Sequence, residues 1–289
     1  MGTDKRERQK QGRQERLAEK QAAEARAKQR KTIIRVGVLA AIAAIIIVLF
    51  VTLGGDDSDD SLVGGDTSTT TTTAPPELVL EPFVDSDYGE GECAPVDGVD
   101  EPVTTFDDAP ALCIDPTETY VATFATTAGD IVVELTAADT PGTVNNFVNL
   151  ARYGYYDDTL VHRADDSIGI LQGGAPTTNS AADPGPGYTI RDEGAGFTYE
   201  AGQIAMANRG PDTAGGQWFF TVDENAALLD AQGAWTVFGE VTEGLDILVD
   251  VLATQVDDDS GLGGSPDPDV VVESVTITTP DGAGSPAES

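Results

Sequence analysis

The stretch Ala205-Met206-Ala207-Asn208-Arg209-Gly210-Pro211-Asp212-Thr213-Ala214-Gly215-Gly216-Gln217-Trp218-Phe219-Phe220 decides how the C-terminal half of this chain is read. Two short apolar pieces flank a run of Gly, Pro and Asp, residues that favour turns. The spacing therefore predicts strands over Gln203 to Ala207 and Gln217 to Val222 with a loop between them. Working outward, Tyr120 to Thr126 and Ile131 to Leu135, on either side of Ala128-Gly129-Asp130, form a hairpin pattern rich in β-branched residues. Trp235 to Val241 and Val270 to Thr278 supply two further strands. Helical spacing occurs twice. Thr140-Pro141 is a start signal, after which Val144, Phe147, Val148 and Ala151 recur at i, i+3, i+4 and i+7, and Leu245, Leu248, Val249 and Leu252 space in a similar way. Many short strands with two helices predict a mainly β domain, a closed barrel with helices over its open ends.

Charge divides the rest of the 289 residues. Residues 1 to 35 hold twelve Lys or Arg against five Asp or Glu, whereas after Arg35 only Arg152, Arg163, Arg191 and Arg209 oppose 45 acidic residues. Nucleic acid is excluded as a partner of that acidic region, because phosphate binding needs clustered cations. Between the two regimes Val36 to Leu53 is free of charge, about 27 Å of helix and long enough to span a bilayer. With Ile33 and Ile34 the apolar segment becomes 33–53. Basic residues before it and acidic ones after it predict a cytoplasmic N-terminus, a single crossing and an extracytoplasmic remainder. A cleaved signal peptide is the competing reading, but the leading segment is long and Val51-Thr52-Leu53-Gly54-Gly55 is a poor cleavage site.

The expected organisation is a basic cytoplasmic tail over 1–32, the membrane helix over 33–53, a disordered Thr/Asp/Gly linker over 54–76, a loop-rich lead-in over 77–116 stapled to the main domain, the folded domain over 117–279 and a disordered tail over 280–289. The two cysteines, Cys93 and Cys113, both fall on the predicted outer side, where a disulfide persists. One bridge is the default pairing and two free thiols are the alternative. With one His in the chain and no ligand neighbours for the cysteines, neither a zinc site nor any other metal or cofactor is expected. Asp257 to Asp259 lack an EF-hand pattern and read as a solvated loop.

Several local sequences, taken in order, resemble the cyclophilin family over roughly Tyr120 to Thr278. They are Thr143-Val144-Asn145-Asn146-Phe147, His162-Arg163 followed by Gln172-Gly173-Gly174, Pro186-Gly187-Tyr188, Asp192-Glu193, the opening stretch from Ala205 to Phe219, Val237-Phe238-Gly239 and Glu243-Gly244-Leu245-Asp246. The lead-in with Cys93, Cys113-Ile114-Asp115, and Leu150-Ala151-Arg152-Tyr153, is similar to membrane-bound or secreted actinobacterial-type members. The resemblance implies a closed eight-stranded β-barrel capped by two helices and a peptidyl-prolyl cis-trans isomerase acting on proline-containing segments of envelope or secreted proteins.

Its chemistry suits the residues present. Amide resonance sets a barrier of about 18 to 20 kcal/mol to rotation about X-Pro, so a catalyst must favour the twisted state, whose prolyl nitrogen gains a usable lone pair. A fixed cation aimed there does this without nucleophile, metal or proton transfer. The resemblance implies that Arg163 supplies the cation and Gln172 orients it. By the same resemblance Ala207 and Asn208 hold the substrate backbone, Gln217 contacts it, and Ile170, Phe219 and Leu229 line the proline pocket. Trp235 stands where some members have a pocket His, and His162 reads as a hydrogen-bonded structural residue.

The pattern also departs from the family. Arg163 to Gln172 is one residue longer than usual, and Ala164-Asp165-Asp166-Ser167-Ile168-Gly169 removes a pocket Phe. Val161, Ala175, the loop Thr177 to Asp183 and an inserted Ala231-Gln232 differ as well. Loss of one aromatic wall, worth about 1.5 to 3 kcal/mol, predicts reduced activity, and a non-catalytic proline-binding scaffold is the alternative function.

Overall fold

The computed structural model describes residues 79–80, 83–195, 197–258 and 261–279. In chain order its strands are β1 (Val79–Leu80), β2 (Tyr120–Thr126), β3 (Gly129–Leu135), β4 (Thr159–Leu160), β5 (Arg163–Asp165), β6 (Ile170–Gly173), β7 (Gly194–Ala195), β8 (Gln203–Met206), β9 (Trp218–Thr221), β10 (Val237–Glu243), β11 (Gln255–Asp257), β12 (Gly264–Pro266) and β13 (Val271–Thr278). Helices α1 (Pro141–Arg152) and α2 (Leu245–Leu252) and a 3-10 helix over Glu224–Ala231 complete the domain. The expected tail, membrane helix, linker and C-terminal tail (1–32, 33–53, 54–76 and 280–289) lie outside the described residues. Among the described residues no helix is long and apolar enough to cross a membrane.

The fold is a curled, mainly antiparallel sheet in the order β11-β12-β5-β6-β9-β8-β10-β3-β2-β13-β4. From β5 the ladder runs round to β4, which is separated from β5 by only Val161 and His162, so it returns almost to its start. The sheet has eleven strands where eight were expected. One extra arises because the segment from Thr159 to Asp165 pairs in two pieces, and two more come from the β11–β12 hairpin laid on β5 through Gly264 and Ala164.

Alternation along the strands fills the interior. In β2, Tyr120, Ala122 and Phe124 are buried, and Ile131, Val133 and Leu135 answer them on β3. Phe124 meets Trp218 and Phe220 edge-on at 5.2 and 5.3 Å, and Phe147 of α1 stacks on Tyr156. Each such side chain contributes roughly 1.5 to 3 kcal/mol by leaving water. The expected α1 face, Val144, Phe147, Val148 and Ala151, is wholly buried. The expected α2 face needs correction: Leu248, Val251 and Leu252 are buried and Val249 is 46% exposed. The sequence LDILVDVL is apolar enough to fit either rotation about the helix axis, and Gly244, at φ +88, sets how the chain enters it.

The strand expected from Trp235 begins instead at Val237. Tyr199 explains the shortfall, because its hydroxyl accepts from the Trp235 N–H at 2.7 Å and donates to the Trp235 carbonyl at 3.1 Å, replacing ladder bonds.

The lead-in covers α1. It holds the buried Asn145 and Asn149, residues on the polar side of the helix. Asn145 accepts from Cys113 N–H at 2.7 Å and donates to the Ala111 carbonyl, while Asn149 accepts from Ala94 N–H at 2.7 Å. Cys93 and Cys113 are bridged, with Cα atoms 5.4 Å apart. The bridge closes the lead-in on itself rather than stapling it to the domain; the attachment is made by those asparagines, by β1 on β7, and by Arg191, which pairs with Asp87 at 2.7 Å and lies over the Phe83 ring.

Candidate active site

Sheet register assembles the site. Arg163 of β5 stands opposite Gln172 of β6, Gln172 opposite Phe219 of β9, and Phe219 opposite Ala205 of β8, a row crossing four strands. Side chains joined this way share one face of the sheet. That face opens into a cleft of about 290 Å³. Every residue expected to act on or contact the substrate lines it: Arg163, Ile170, Gln172, Ala207, Asn208, Gln217, Phe219, Leu229 and Trp235.

One wall is apolar. Ile170, Phe219 and Leu229 are at least 96% buried in a small cluster with Ala205 and Tyr199, and Ile168, Ala207 and Trp235 pack against it. The Trp235 indole meets the Phe219 ring edge-on at 6.0 Å. Ile168 was not expected here. It comes from the rewritten segment and lines the cleft as an aliphatic residue where the family pattern led one to look for an aromatic.

The opposite wall is a relay of polar side chains. Arg163 Nη1 donates to Gln172 Oε1 at 3.2 Å, and Gln172 Nε2 donates to Gln217 Oε1 at 2.9 Å. Arg163 Nε donates to the Leu262 carbonyl at 2.7 Å, and Nη2 pairs with Asp165 at 3.0 Å. The arginine remains 21% exposed toward the cleft.

The rim is built by buried carboxylates that sequence reading left without a role. Asp183, 1% exposed, accepts from Thr177 and Thr178 N–H and from Gly185 N–H, folding the loop that lines the cleft through Ala181 and Pro184. Asp192 accepts from Asn208 Nδ2 at 3.2 Å and Asp212 N–H at 3.0 Å, and burial pushes its carboxyl above the ordinary range. The Asn208 side chain is thus consumed in holding two loops, donating also to the Ala234 carbonyl. Its main-chain N–H and C=O form no hydrogen bond among the described residues, though the residue lines the cleft. Glu193, raised by burial, accepts from Thr143 N–H at 2.6 Å and from Gly142 N–H, so it supplies the start of α1 with the acceptor that Thr140 does not. Arg209 also lines the cleft, which therefore contains two of the four arginines of the acidic region. Scarcity of basic residues was the signal that could have found it.

The His162 ring is buried and touches the Leu160 main chain without a hydrogen bond of good geometry. Burial, followed by the nearby Arg163 charge, pulls its pKa down to about 4, with the Leu160 contact acting against them.

The sequence model of the "Cyclophilin type peptidyl-prolyl cis-trans isomerase/CLD" family matches residues 121–277. Peptidyl-prolyl cis-trans isomerase B of Bacillus subtilis is 45% identical over 118 residues, 40% of this chain and 78% of that protein. Peptidyl-prolyl cis-trans isomerase B of Streptomyces anulatus is 36% identical over 182 residues, 56% of this chain and 98% of that protein. Among solved structures, a Cryptosporidium parvum cyclophilin-type isomerase crystallised in the presence of the dipeptide Ala-Pro matches with TM-score 0.47 and 26% identity, covering 54% of this chain and 98% of that one. The chain belongs to the cyclophilin-type peptidyl-prolyl cis-trans isomerase family. Its reaction is the rotation of X-Pro peptide bonds.

Proposed function

We propose that the 117–279 domain isomerises X-Pro bonds in envelope or secreted proteins outside the cytoplasm, tethered by the 33–53 helix and spaced from it by residues 54–76, and that the curled sheet works as a closed eight-stranded barrel. The observation that carries the catalytic reading is the Arg163–Gln172–Gln217 relay facing the Ile170–Phe219–Leu229 wall. An extended substrate lies along the unpaired main chain of Asn208 beside Ala207, with Gln217 contacting its backbone. Its proline ring enters the apolar wall, bounded by Trp235 and Ile168.

A guanidinium has five N–H groups in a planar fork. Three are bound to Leu262, Gln172 and Asp165, which leaves one on each terminal nitrogen. Those two serve the prolyl nitrogen and the preceding carbonyl. Their bond to nitrogen strengthens only as resonance is lost and the lone pair localises, so binding is weighted toward the twisted state and the rate rises. No covalent intermediate forms.

Exchange spectroscopy on a peptide with one Ala-Pro bond, using the full chain in detergent micelles, tests the catalytic reading: Arg163→Ala should slow isomerisation, and equal rates would leave only a proline-binding scaffold. Topology is tested separately by adding protease to intact spheroplasts. Digestion of the 117–279 domain is expected, and its protection would overturn the extracytoplasmic assignment.

A further inference from the structure

The segment that departs most from the family pattern also contains the carboxylate that pairs with the guanidinium. The geometry points to Asp165 as a positioning residue for catalysis, a carboxylate that fixes the plane of the Arg163 fork; this rests on the active-site reading above.

Asp165 follows Arg163 by two positions on β5, so both side chains leave the same face of the strand, and Asp165 stands opposite Ile170 of the pocket wall. It is 6% exposed. Its two oxygens do different work. Oδ1 accepts from Ser167 N–H at 3.1 Å and from Ser167 Oγ at 2.6 Å, while Oδ2 accepts from Arg163 Nη2 at 3.0 Å. The local turn at Ser167 therefore holds the carboxylate independently of the arginine. A fixed acceptor orients a long side chain, and the reverse does not follow. Around it the turn is braced by Asp166 N–H on Gln255 Oε1 at 2.6 Å and by Asn225 Nδ2 on the Asp166 carbonyl at 3.0 Å.

The consequence for Arg163 is a three-point hold: from the loop before β12 through Leu262, from β6 through Gln172, and from the end of its own strand β5 through Asp165. Because the guanidinium is a rigid plane, the contacts at Nε and Nη1 define its orientation. The third, at Nη2, is charge-assisted and stiffens that orientation, and with it the directions of the two remaining N–H groups. A carboxylate so near a catalytic cation also weakens its field, so the pair exchanges some charge for orientation. Because the hold is made whether or not substrate is present, its effect falls on the chemical step rather than on binding.

The test is a double-mutant cycle on the full chain in detergent micelles, with exchange spectroscopy on the Ala-Pro peptide over a range of peptide concentrations. Asp165→Ala is expected to lower kcat about tenfold with KM within twofold, and to lower the residual rate of Arg163→Ala by less than twofold. A merely structural aspartate would cost the same factor in both backgrounds, and that result overturns the inference while leaving Arg163 in its role. An unchanged or faster Asp165→Ala enzyme overturns it too, because the field of the carboxylate would then outweigh its orienting effect. Should Arg163→Ala match the wild type, the active-site reading and this inference fall together. Asp165→Asn guards against misfolding. Its Oδ1 keeps the Ser167 turn while its NH2 faces Nη2, so it should lose as much kcat as the alanine variant with an unchanged thermal midpoint, and retention of full kcat by the asparagine variant counts against the inference.

Discussion

Two sides of the curled sheet bury carboxamides, and they use them in opposite ways. Under the lead-in, Asn145 and Asn149 are 1% and 3% exposed and their partners are main-chain groups of Ala94, Ala111 and Cys113. At the cleft, Gln172 accepts from Arg163 and donates to Gln217, side chain to side chain beside open space, and only Gln217 at the end of the relay reaches a main-chain group, the Ala181 carbonyl. Main-chain partners are immobile, so the first set fastens a loop-rich segment to a helix. Side-chain partners pass orientation along to a group that remains available to a ligand. The same functional group is structural or catalytic according to what accepts its hydrogen and whether the far end of the chain of bonds meets solvent. Asn146 and Asn208 lie between the two cases: Asn146 donates to the Gly215 carbonyl and accepts from the Tyr188 hydroxyl, both on cleft-lining residues.

If the contrast holds, damage on the two sides separates into activity and stability. The largest effect is expected from Arg163→Ala, about 10²- to 10³-fold in kcat/KM by analogy with loss of a preorganised transition-state donor, with a thermal midpoint that hardly moves. Gln172→Ala should cost less, roughly tenfold, because Leu262 and Asp165 still hold the arginine. A midpoint drop comparable to that of a core truncation would show that the relay is structural after all.

On the other side, the Cys93–Cys113 bridge closes a loop with sequence separation 20. Replacing both cysteines with serine should release about 3 kcal/mol of loop-closure stabilisation while kcat/KM stays within threefold. Denaturant midpoints measured with the isomerase assay decide it, and a collapse of activity in still-folded protein would mean that the lead-in reaches the cleft. That is a demanding test, because Phe106 N–H bonds to the carbonyl of the cleft residue Pro186. Asn145→Ala or Asn149→Ala should cost about 1 to 3 kcal/mol each by leaving a buried N–H unpaired, a fall of several degrees in the thermal midpoint with unaltered kcat.

Most of the cleft was legible from the sequence because its residues are tied to short motifs with fixed strand register. Once the strands of Arg163, Gln172 and Phe219 pair, the row across them follows. What escaped reading depends on contacts distant in sequence. Nothing local says that Asn145 and Asn149 face Ala94 and Cys113, so the attachment of the lead-in to the polar side of α1 is not legible in the sequence. Val249 and Val251 were indistinguishable by period in a helix of eight residues. Trp235 read as a strand residue because its propensity is high, yet a hydroxyl from Tyr199 satisfies its main chain. Arg163 and Asp165 are two apart on one strand and so share a face, but the sequence alone does not say whether the carboxylate turns to the guanidinium or to the Ser167 turn, and it does both.

A further expected effect lies at the only histidine in the chain, between β4 and β5. Burial lowers the His162 pKa to about 4, against an unfolded value near 6.5. Between those values the unfolded chain binds the extra proton and the folded one does not, so this residue's contribution to stability is lost as pH falls from about 6.5 to about 4. Roughly 3 kcal/mol is at stake. Glu193 and Asp192, raised by burial, act in the opposite direction, because a carboxyl with a raised folded pKa stabilises most at low pH and loses that contribution as pH rises through its folded value. The histidine term is therefore isolated by difference. Unfolding free energies of the wild type and His162→Phe, measured from pH 7 to pH 4, should diverge in favour of phenylalanine as the solution is acidified, and the ring resonances of the single histidine should titrate near pH 4. A midpoint near 6.5 would mean that the ring is solvated and that the break between β4 and β5 is open to water.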